Sequence, residues 1–307
     1  MKKGYAILKE KDKLIAIARE FNCELREKQY FRQYTTIGIG GVAPFILFPF
    51  EEKNVTALLS TLKEEKLLWR ILGAGSNLIV NDNGIEEIII SLRKINVKPR
   101  FESESTWAPG GMLLGKFIQE AAKRGLGGAE CLSGIPGSIG GAIKINAGSY
   151  GGSISAIISH IQLITAAGRQ EEKESKDLNF DYRSSSIGKH DVVLGAHFRL
   201  GEKELKDIER ELEFYLNKRK ESQPIGEKSA GCIFKNPPGL SAGQFIDSLG
   251  LKGMSSGGAI ISEKHANYII NRNNASFEDV LRLIDMIKDK VQKLMGIELE
   301  EEVEIWN

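Results

Sequence analysis

The sequence is poor in cysteine. Its three thiols, Cys23, Cys131 and Cys232, are odd in number and far apart. They form neither a disulfide framework nor a zinc-ligand spacing, so no metal site is expected and a reducing cytoplasm fits best. Long apolar runs are also missing. No stretch of about 18 apolar residues occurs, so no membrane insertion is expected. The start, Met1-Lys2-Lys3-Gly4-Tyr5, is basic but lacks the apolar stretch and small-residue cleavage site of a signal peptide, and it reads as mature protein. An excess of one charge is lacking too, because 42 basic and 41 acidic residues nearly cancel. That balance gives no electrostatic footprint for nucleic acid, yet it permits an anionic small ligand held by a few local cations. No internal repeat or low-complexity tract is present.

Glycine, by contrast, is clustered. The 33 glycines gather at Gly73 and Gly75, Gly125 to Gly128, Gly134 to Gly152, and Gly250 to Gly258. Glycine lets backbone approach a ligand closely, so such clusters point to ligand-cradling turns or tight bends. The 307 residues are ample for a large core, and 41% hydrophobic with 27% charged residues is ordinary for a soluble globular protein.

Periodicity predicts helices over Asp12 to Phe21, Glu51 to Glu65, Met112 to Arg124, Glu202 to Lys220, Ala242 to Ser248 and Phe277 to Met295. Ser276 with Asp279 three residues on is a near capping box for the last of these. Strands are predicted at Phe45 to Pro49, Leu67 to Leu72, Ile85 to Leu92, Ile157 to Thr165, Val192 to Leu200, Cys232 to Phe234, Asn267 to Asn271 and Glu302 to Trp306. Residues between Phe21 and Phe45 read as a polar connection. Gly125 to Gly152 holds too few apolar residues for a normal helix and too many glycines for a regular strand, so it is placed over a ligand. The charged helix Glu202 to Lys220 reads as a connector with a solvated face, and the last hundred or so residues as a separate α/β domain.

Two segments carry candidate binding chemistry. Gly73-Ala74-Gly75-Ser76-Asn77 follows a strand, and its backbone N–H groups can form an anion-binding concavity. The strand-like Leu78-Ile79-Val80 follows, so the dinucleotide fingerprint, which opens a helix, does not apply. Alone, this segment is equally well a tight turn. The stronger segment is Gly134-Ile135-Pro136-Gly137-Ser138-Ile139-Gly140-Gly141-Ala142, followed by Asn146-Ala147-Gly148. It offers many backbone donors, a hydroxyl and an amide, suited to a pyrophosphate and a flat ring. The alternative is a glycine-rich structural crossover.

Together these segments resemble the FAD-binding half of the UDP-N-acetylenolpyruvoylglucosamine reductases. Tyr34-Thr35-Thr36 with Ile39-Gly40-Gly41 resembles that family's opening motif, Asp181-Tyr182-Arg183-Ser184-Ser185 its arginine motif, and Ser229-Ala230-Gly231-Cys232-Ile233-Phe234-Lys235-Asn236-Pro237 its proton-donor motif. Lys264-His265-Ala266-Asn267 and Leu299-Glu300-Glu301-Glu302-Val303 complete the order, so the resemblance spans residues 34 to 305. It implies an α+β chain: a two-lobed FAD-binding domain of the vanillyl-alcohol-oxidase/PCMH type over 1–203, with lobes of about 1–93 and 94–203, then a smaller α/β substrate-binding domain over 204–307. The short distance from Leu200 to Gly231 resembles the shorter type of the family, which lacks a substrate-covering tyrosine loop.

The resemblance also implies roles. FAD would be the cofactor and NADPH the reducing cosubstrate. Gly73, Ala74, Gly75, Ser76, Asn77, Leu78, Gly134, Pro136, Gly137, Ser138, Gly140, Gly141, Asn146 and Gly148 would bind the cofactor. Arg183 would stabilise an enolate, with Glu302 protonated or hydrogen-bonded through water beside it. Cys232 would donate a proton where the family usually has serine. A thiol, with an ordinary pKa of about 8.5, is mostly protonated at neutral pH and a stronger acid than a hydroxyl. Read without the motif, Cys232 is a buried small hydrophobe. Tyr182, Arg219, Lys220 and Asn236 are candidate substrate contacts, although Arg219 and Lys220 also read as an ordinary charged helix end. His265 either lines the site or is structural. Strand alternation would set Glu302 on the face opposite Glu301 and Val303. Gly38 stands where the family often has arginine, so a cation near the opening motif is expected to be missing. The partners expected are small molecules, and a monomer is expected. Two other readings remain open: a different oxidoreductase of the same fold, and a non-catalytic nucleotide-binding module.

Overall fold

The computed structural model describes residues 10–102 and 105–307. The basic start, Met1 to Tyr5, lies outside them. In chain order the longer elements are α1 (Lys11–Glu20), β1 (Cys23–Tyr30), β2 (Val42–Pro49), α2 (Val55–Glu64), β3 (Trp69–Ile71), β4 (Leu78–Val80), β5 (Ile88–Ile90), β6 (Arg100–Glu102) and β7 (Ser105–Pro109). Then come α3 (Leu114–Ala122), α4 (Ile139–Lys144), β8 (Ile158–Ile164), β9 (Gln170–Glu174), β10 (Val192–Phe198) and α5 (Leu205–Ser222). The last are β11 (Ser229–Cys232), α6 (Ala242–Ser248), β12 (Ser255–Ser256), β13 (Ala259–Ile261), β14 (Tyr268–Asn271), α7 (Phe277–Met295) and β15 (Glu304–Trp306).

The chain divides into two compact units. Among the described residues, the first comprises 10–28, 43–74, 86–102 and 105–216, and the second 29–42, 75–85 and 217–307. The units therefore do not follow a single cut after residue 203. Two early segments, including most of the opening motif and the end of the first glycine segment, fold with the C-terminal residues.

The first unit holds two sheets. One has the order β1-β2-β5-β3, in which β5 pairs parallel with both β2 and β3. Its central Ile88-Ile89-Ile90 is buried at every position. A strand covered on both faces needs apolar residues throughout. The other sheet, β9-β8-β10-β7-β6, is antiparallel. Its edge strand β9 reads Gln-Glu-Glu-Lys-Glu, and such charge deters pairing with another chain. Each fully buried core side chain, such as Phe45 in one cluster or Phe117 in the other, contributes about 1.5–3 kcal/mol.

Two expectations are corrected here. The polar connection contains β1, whose residues are mostly half-buried and whose Glu24 pairs with Arg26 and Lys94. The glycine-rich stretch contains α4. Ser138 caps it, and Ile139, Ala142 and Ile143 bury a helical i, i+3, i+4 face that offsets the cost of its glycines.

In the second unit, the antiparallel sheet β11-β14-β13-β12 packs with α6 and α7. The chain's last strand, β15, runs parallel to β4, with Trp306 opposite Val80. Helix α7 keeps its predicted bounds and buries Phe277, Val280, Leu283, Ile284, Ile287 and Val291. Its capping box is complete: Ser276 Oγ accepts from Asp279 N–H, and Asp279 Oδ2 accepts from Ser276 N–H at 3.0 Å and Gly258 N–H at 3.2 Å. Asp279 also pairs with Arg282.

The Ser276 N–H above all, and then that of Gly258, holds the Asp279 carboxyl below its ordinary range. A lowered folded-state pKa adds stability above the unfolded value of about 4, and that stability is lost as pH falls through the folded value. Asp279→Asn should therefore lower the melting temperature at pH 7. The gap between variant and parent should narrow at acid pH, which thermal unfolding at pH 7 and pH 3 will measure.

Candidate active site

In the first unit the two glycine-rich segments meet at Gly73. A Cβ added there would lie 2.7 Å from Ser138 Oγ, so only glycine fits without displacing the serine that caps α4. The second segment is tied down by Leu114 N–H to Gly137 C=O at 3.0 Å, Ile139 N–H to Met112 C=O at 2.8 Å and Gly140 N–H to Gly110 C=O at 2.8 Å. Gly73, Gly134, Pro136 and Gly141 remain exposed, Ala74, Gly137 and Gly148 are half-buried, and Ser138, Gly140 and Asn146 are buried. Ser133, which motif reading missed, is 5% exposed, and its Oγ has no hydrogen-bond partner among the described residues. An exposed glycine-rich backbone beside a buried, unsatisfied hydroxyl fits a flat cofactor with polar edges.

The arginine motif forms a hairpin, Phe180–Asp181 against Ser184–Ser185, with Tyr182 and Arg183 at its turn. Arg183 has φ 54°, a left-handed conformation that a side chain other than glycine adopts at a cost. Its guanidinium carbon lies 5.3 Å from the centre of the Tyr182 ring, and Tyr182 is 48% exposed. Two bonds join the hairpin to the end of the glycine segment: Asn146 Nδ2 to Asp181 C=O at 2.9 Å, and Ser185 Oγ to Lys144 C=O at 2.7 Å. Asn146 Oδ1 also accepts from Ser155 N–H at 3.3 Å. Both ends of the Asn146 amide thus position the Arg183 turn.

The other candidates gather in the second unit around Tyr268, which motif reading also missed. Tyr268 stands directly opposite Cys232 in the β11–β14 pair. The register slips between Ser229 and Cys232, where Gly231 takes φ 83°. This bulge aims Cys232 at its partner. Burial first, and then Cys232 and Glu302, push the Tyr268 hydroxyl far above its ordinary pKa, against the pull of Arg219. The His265 ring packs edge-on to Tyr268 with centroids 4.9 Å apart, and burial pulls its pKa down, so it is neutral at pH 7.

Backbone bonds hold this group in place. Asn267, 3% exposed, receives Phe234 N–H on Oδ1 at 2.9 Å and donates from Nδ2 to Phe234 C=O at 2.8 Å. Glu302 N–H donates to Ile233 C=O at 2.7 Å, and Asn77 Nδ2 donates to Glu302 C=O at 2.9 Å. Strand β15 starts only at Glu304, so simple alternation does not set the direction of Glu302, which is fixed instead by its bond to Ile233. Arg219 is 6% exposed and donates to Gln223 Oε1 at 2.9 Å. Lys220 is exposed. Asn236 is also exposed, and its Oδ1 accepts from Ala242 N–H at the start of α6.

Three more expected residues are placed by the second unit. Ser76 is half-buried. Gly75 is buried where a Cβ would meet Tyr34 C=O at 2.0 Å, and Leu78 is buried in β4. Beside Gly38, the Lys228 side chain lies 3.3 Å from where a Cβ would stand. The aliphatic stem of a lysine from β11's leading loop thus packs against the opening motif.

A UDP-N-acetylenolpyruvoylglucosamine reductase from Heliobacterium modesticaldum is 37% identical over 293 residues, covering 94% of this chain and 93% of that protein. One from Geobacter metallireducens is 37% identical and covers 96% and 98%. The chain belongs to this reductase family. The crystal structure of the Thermus caldophilus reductase superposes with a TM-score of 0.80 at 34% identity, covering 93% of this chain and 100% of that one. Residues 223–306 match the model of the reductase C-terminal domain, and residues 43–172 match that of an FAD binding domain. The two-part α+β architecture read from the motifs is therefore that of the reductase family. Among the described residues, no helix is long and apolar enough to cross a membrane.

The Asn267 clamp yields a stability prediction. Asn267→Ala would leave both backbone groups of buried Phe234 unsatisfied, at a cost of about 2–4 kcal/mol. Chemical denaturation should show a lower midpoint with an unchanged slope.

Proposed function

We propose that this chain catalyses the NADPH-dependent, FAD-mediated reduction of UDP-N-acetylglucosamine enolpyruvate to UDP-N-acetylmuramate, a step of peptidoglycan synthesis. The exposed backbone of Gly73, Gly134, Pro136 and Gly141, with the Ser133 hydroxyl, would hold the FAD. Bound there, FAD would supply the hydride chemistry, by which a hydride from NADPH would reach the enol carbon distal to the ether oxygen. Negative charge then develops on the neighbouring carbon and spreads into the substrate carboxylate.

Arg183 grips that carboxylate. A guanidinium stays charged and can make two parallel hydrogen bonds, worth a few kcal/mol as charge develops. Cys232 Sγ–H gives its proton to the carbon beside the ether oxygen, which completes the lactyl ether and leaves a thiolate. Glu302 is neutral or bridged by water in the reactive complex, because a bare carboxylate beside an enolate would oppose the reaction. Tyr182, Arg219, Lys220, Asn236 and His265 contact the substrate. The observation that carries this reading is the bond from Glu302 N–H to Ile233 C=O, which ties the carboxyl candidate to the residue after Cys232.

An anaerobic two-step titration of the FAD-loaded protein tests the proposal. NADPH should bleach the flavin, and the enolpyruvyl ether should then restore its colour. A reduced flavin that ignores this substrate would favour another oxidoreductase of the same fold. A colourless protein that cannot be reconstituted with FAD would favour a binding module. Cys232→Ala should leave bleaching nearly intact and slow recolouring by about a hundredfold or more. Equal damage to both steps would contradict the donor role.

A further inference from the structure

Tyr268 stands across a rigid strand pair from the one thiol the proposed reaction uses. It lies directly across the sheet from Cys232, on the same face, and is 9% exposed. The His265 ring packs edge-on against it, and Tyr268 C=O accepts Ser262 N–H at 2.9 Å. The next residue back, Asn267, is the one that clamps Phe234, so the Tyr268 strand and the Cys232 strand are locked in register.

We propose that Tyr268 is a positioning residue for proton donation, its O–H hydrogen-bonded to Cys232 Sγ so that the thiol is aimed and the thiolate left after transfer is stabilised. This rests on the proton-donor reading of Cys232. The chemistry balances simply. The substrate double bond gains a hydride at one carbon and the Cys232 proton at the other. The sulfur keeps the S–H electron pair, and water reprotonates it before the next turnover. Tyr268 keeps its own proton throughout, because burial holds the hydroxyl far above its ordinary pKa. A group that cannot ionise is a fixed donor, so it favours the charged form of its acceptor.

Four groups face the Tyr268 side chain: Cys232 from β11, Arg219 from α5, Glu302 from the closing segment and His265 from the turn before β14. Tyr268→Phe removes the O–H and keeps the ring against His265, leaving the other three groups in place.

The experiment uses the full FAD-loaded chain. The rate of Cys232 alkylation by iodoacetamide is followed against pH, with the modified peptide resolved by mass spectrometry from those of Cys23 and Cys131. Burial pushes Cys23 up to about 11 and also raises Cys131, and the mass resolution keeps their peptides apart from that of Cys232. In Tyr268→Phe the Cys232 midpoint should move upward by about one pH unit, the effect of losing one hydrogen bond to a charged group. Recolouring by substrate should slow about tenfold while bleaching by NADPH is unchanged. An unmoved alkylation midpoint overturns the proposal. If Tyr268→Phe does not fold, the protein is made with 3-fluorotyrosine, whose hydroxyl is a stronger donor. The Cys232 midpoint should then move downward, and its constancy overturns the proposal. The two readings fail separately. A midpoint that shifts in a protein whose Cys232→Ala variant recolours at the parent rate removes the donor role but keeps the pair. An unmoved midpoint beside a crippled Cys232→Ala removes the pair but keeps the donor.

Discussion

Ile233 and Phe234 are held from two sides at once, and the candidate reaction centre depends on that grip. The Asn267 amide closes both backbone groups of Phe234, at 2.9 and 2.8 Å. Glu302 N–H closes the carbonyl of Ile233 at 2.7 Å, and Ile233 N–H closes on Asn267 C=O at 2.8 Å. Buried backbone groups must be paired, so each bond here is both a satisfied requirement and a positional constraint. Cys232 sits one residue upstream of this double anchor. The backbone path at Cys232 is thereby fixed on its C-terminal side.

The same anchor explains why distant parts of the sequence fold as one unit. Asn77 holds the Glu302 carbonyl and accepts Glu304 N–H through its own carbonyl, and three residues of β15 then pair with β4. Thr36 Oγ1 donates to Ser229 C=O at 2.6 Å, at the start of the strand that ends on Cys232. The opening motif, the first glycine segment and the closing acidic motif thus brace one short stretch of backbone. Read along the chain they are three separate motifs; in the fold they support a single thiol.

Legibility followed physical cause. The bounds of α6 and α7 emerge from the sequence alone because capping serines and 3.6-residue periodicity agree there. Ile88–Ile90 is legible because an all-apolar triplet suits a strand buried on both faces. Strand β1 is not, since Cys-Glu-Leu-Arg-Glu-Lys-Gln-Tyr has no apolar run and depends on ion pairs and neighbouring strands. Helix α4 is hidden by its glycines and depends on tertiary packing. In the site, Arg183, Cys232 and Glu302 are named only through motif order. Tyr268 lies in none of the matched segments; its pairing with Cys232 follows from a strand register that includes a bulge, which no local pattern reports. Ser133 is invisible for a similar reason, since being buried without a partner is a property of three-dimensional packing.

The electrostatics of the second unit bear on the state of Glu302. In the proposed reaction Cys232 starts neutral and ends negative. Arg219, a nearly buried guanidinium, favours that change. Both Arg219 and Glu302 bear on Tyr268, which stands opposite Cys232 in the sheet. An ionised Glu302 would oppose the thiolate, and would oppose the developing enolate for the same reason. With Glu302 neutral, the Arg219 charge and the Tyr268 O–H both act in favour of the thiolate. The proposed reaction therefore calls for one proton on, or one water against, Glu302 when Cys232 gives up its own.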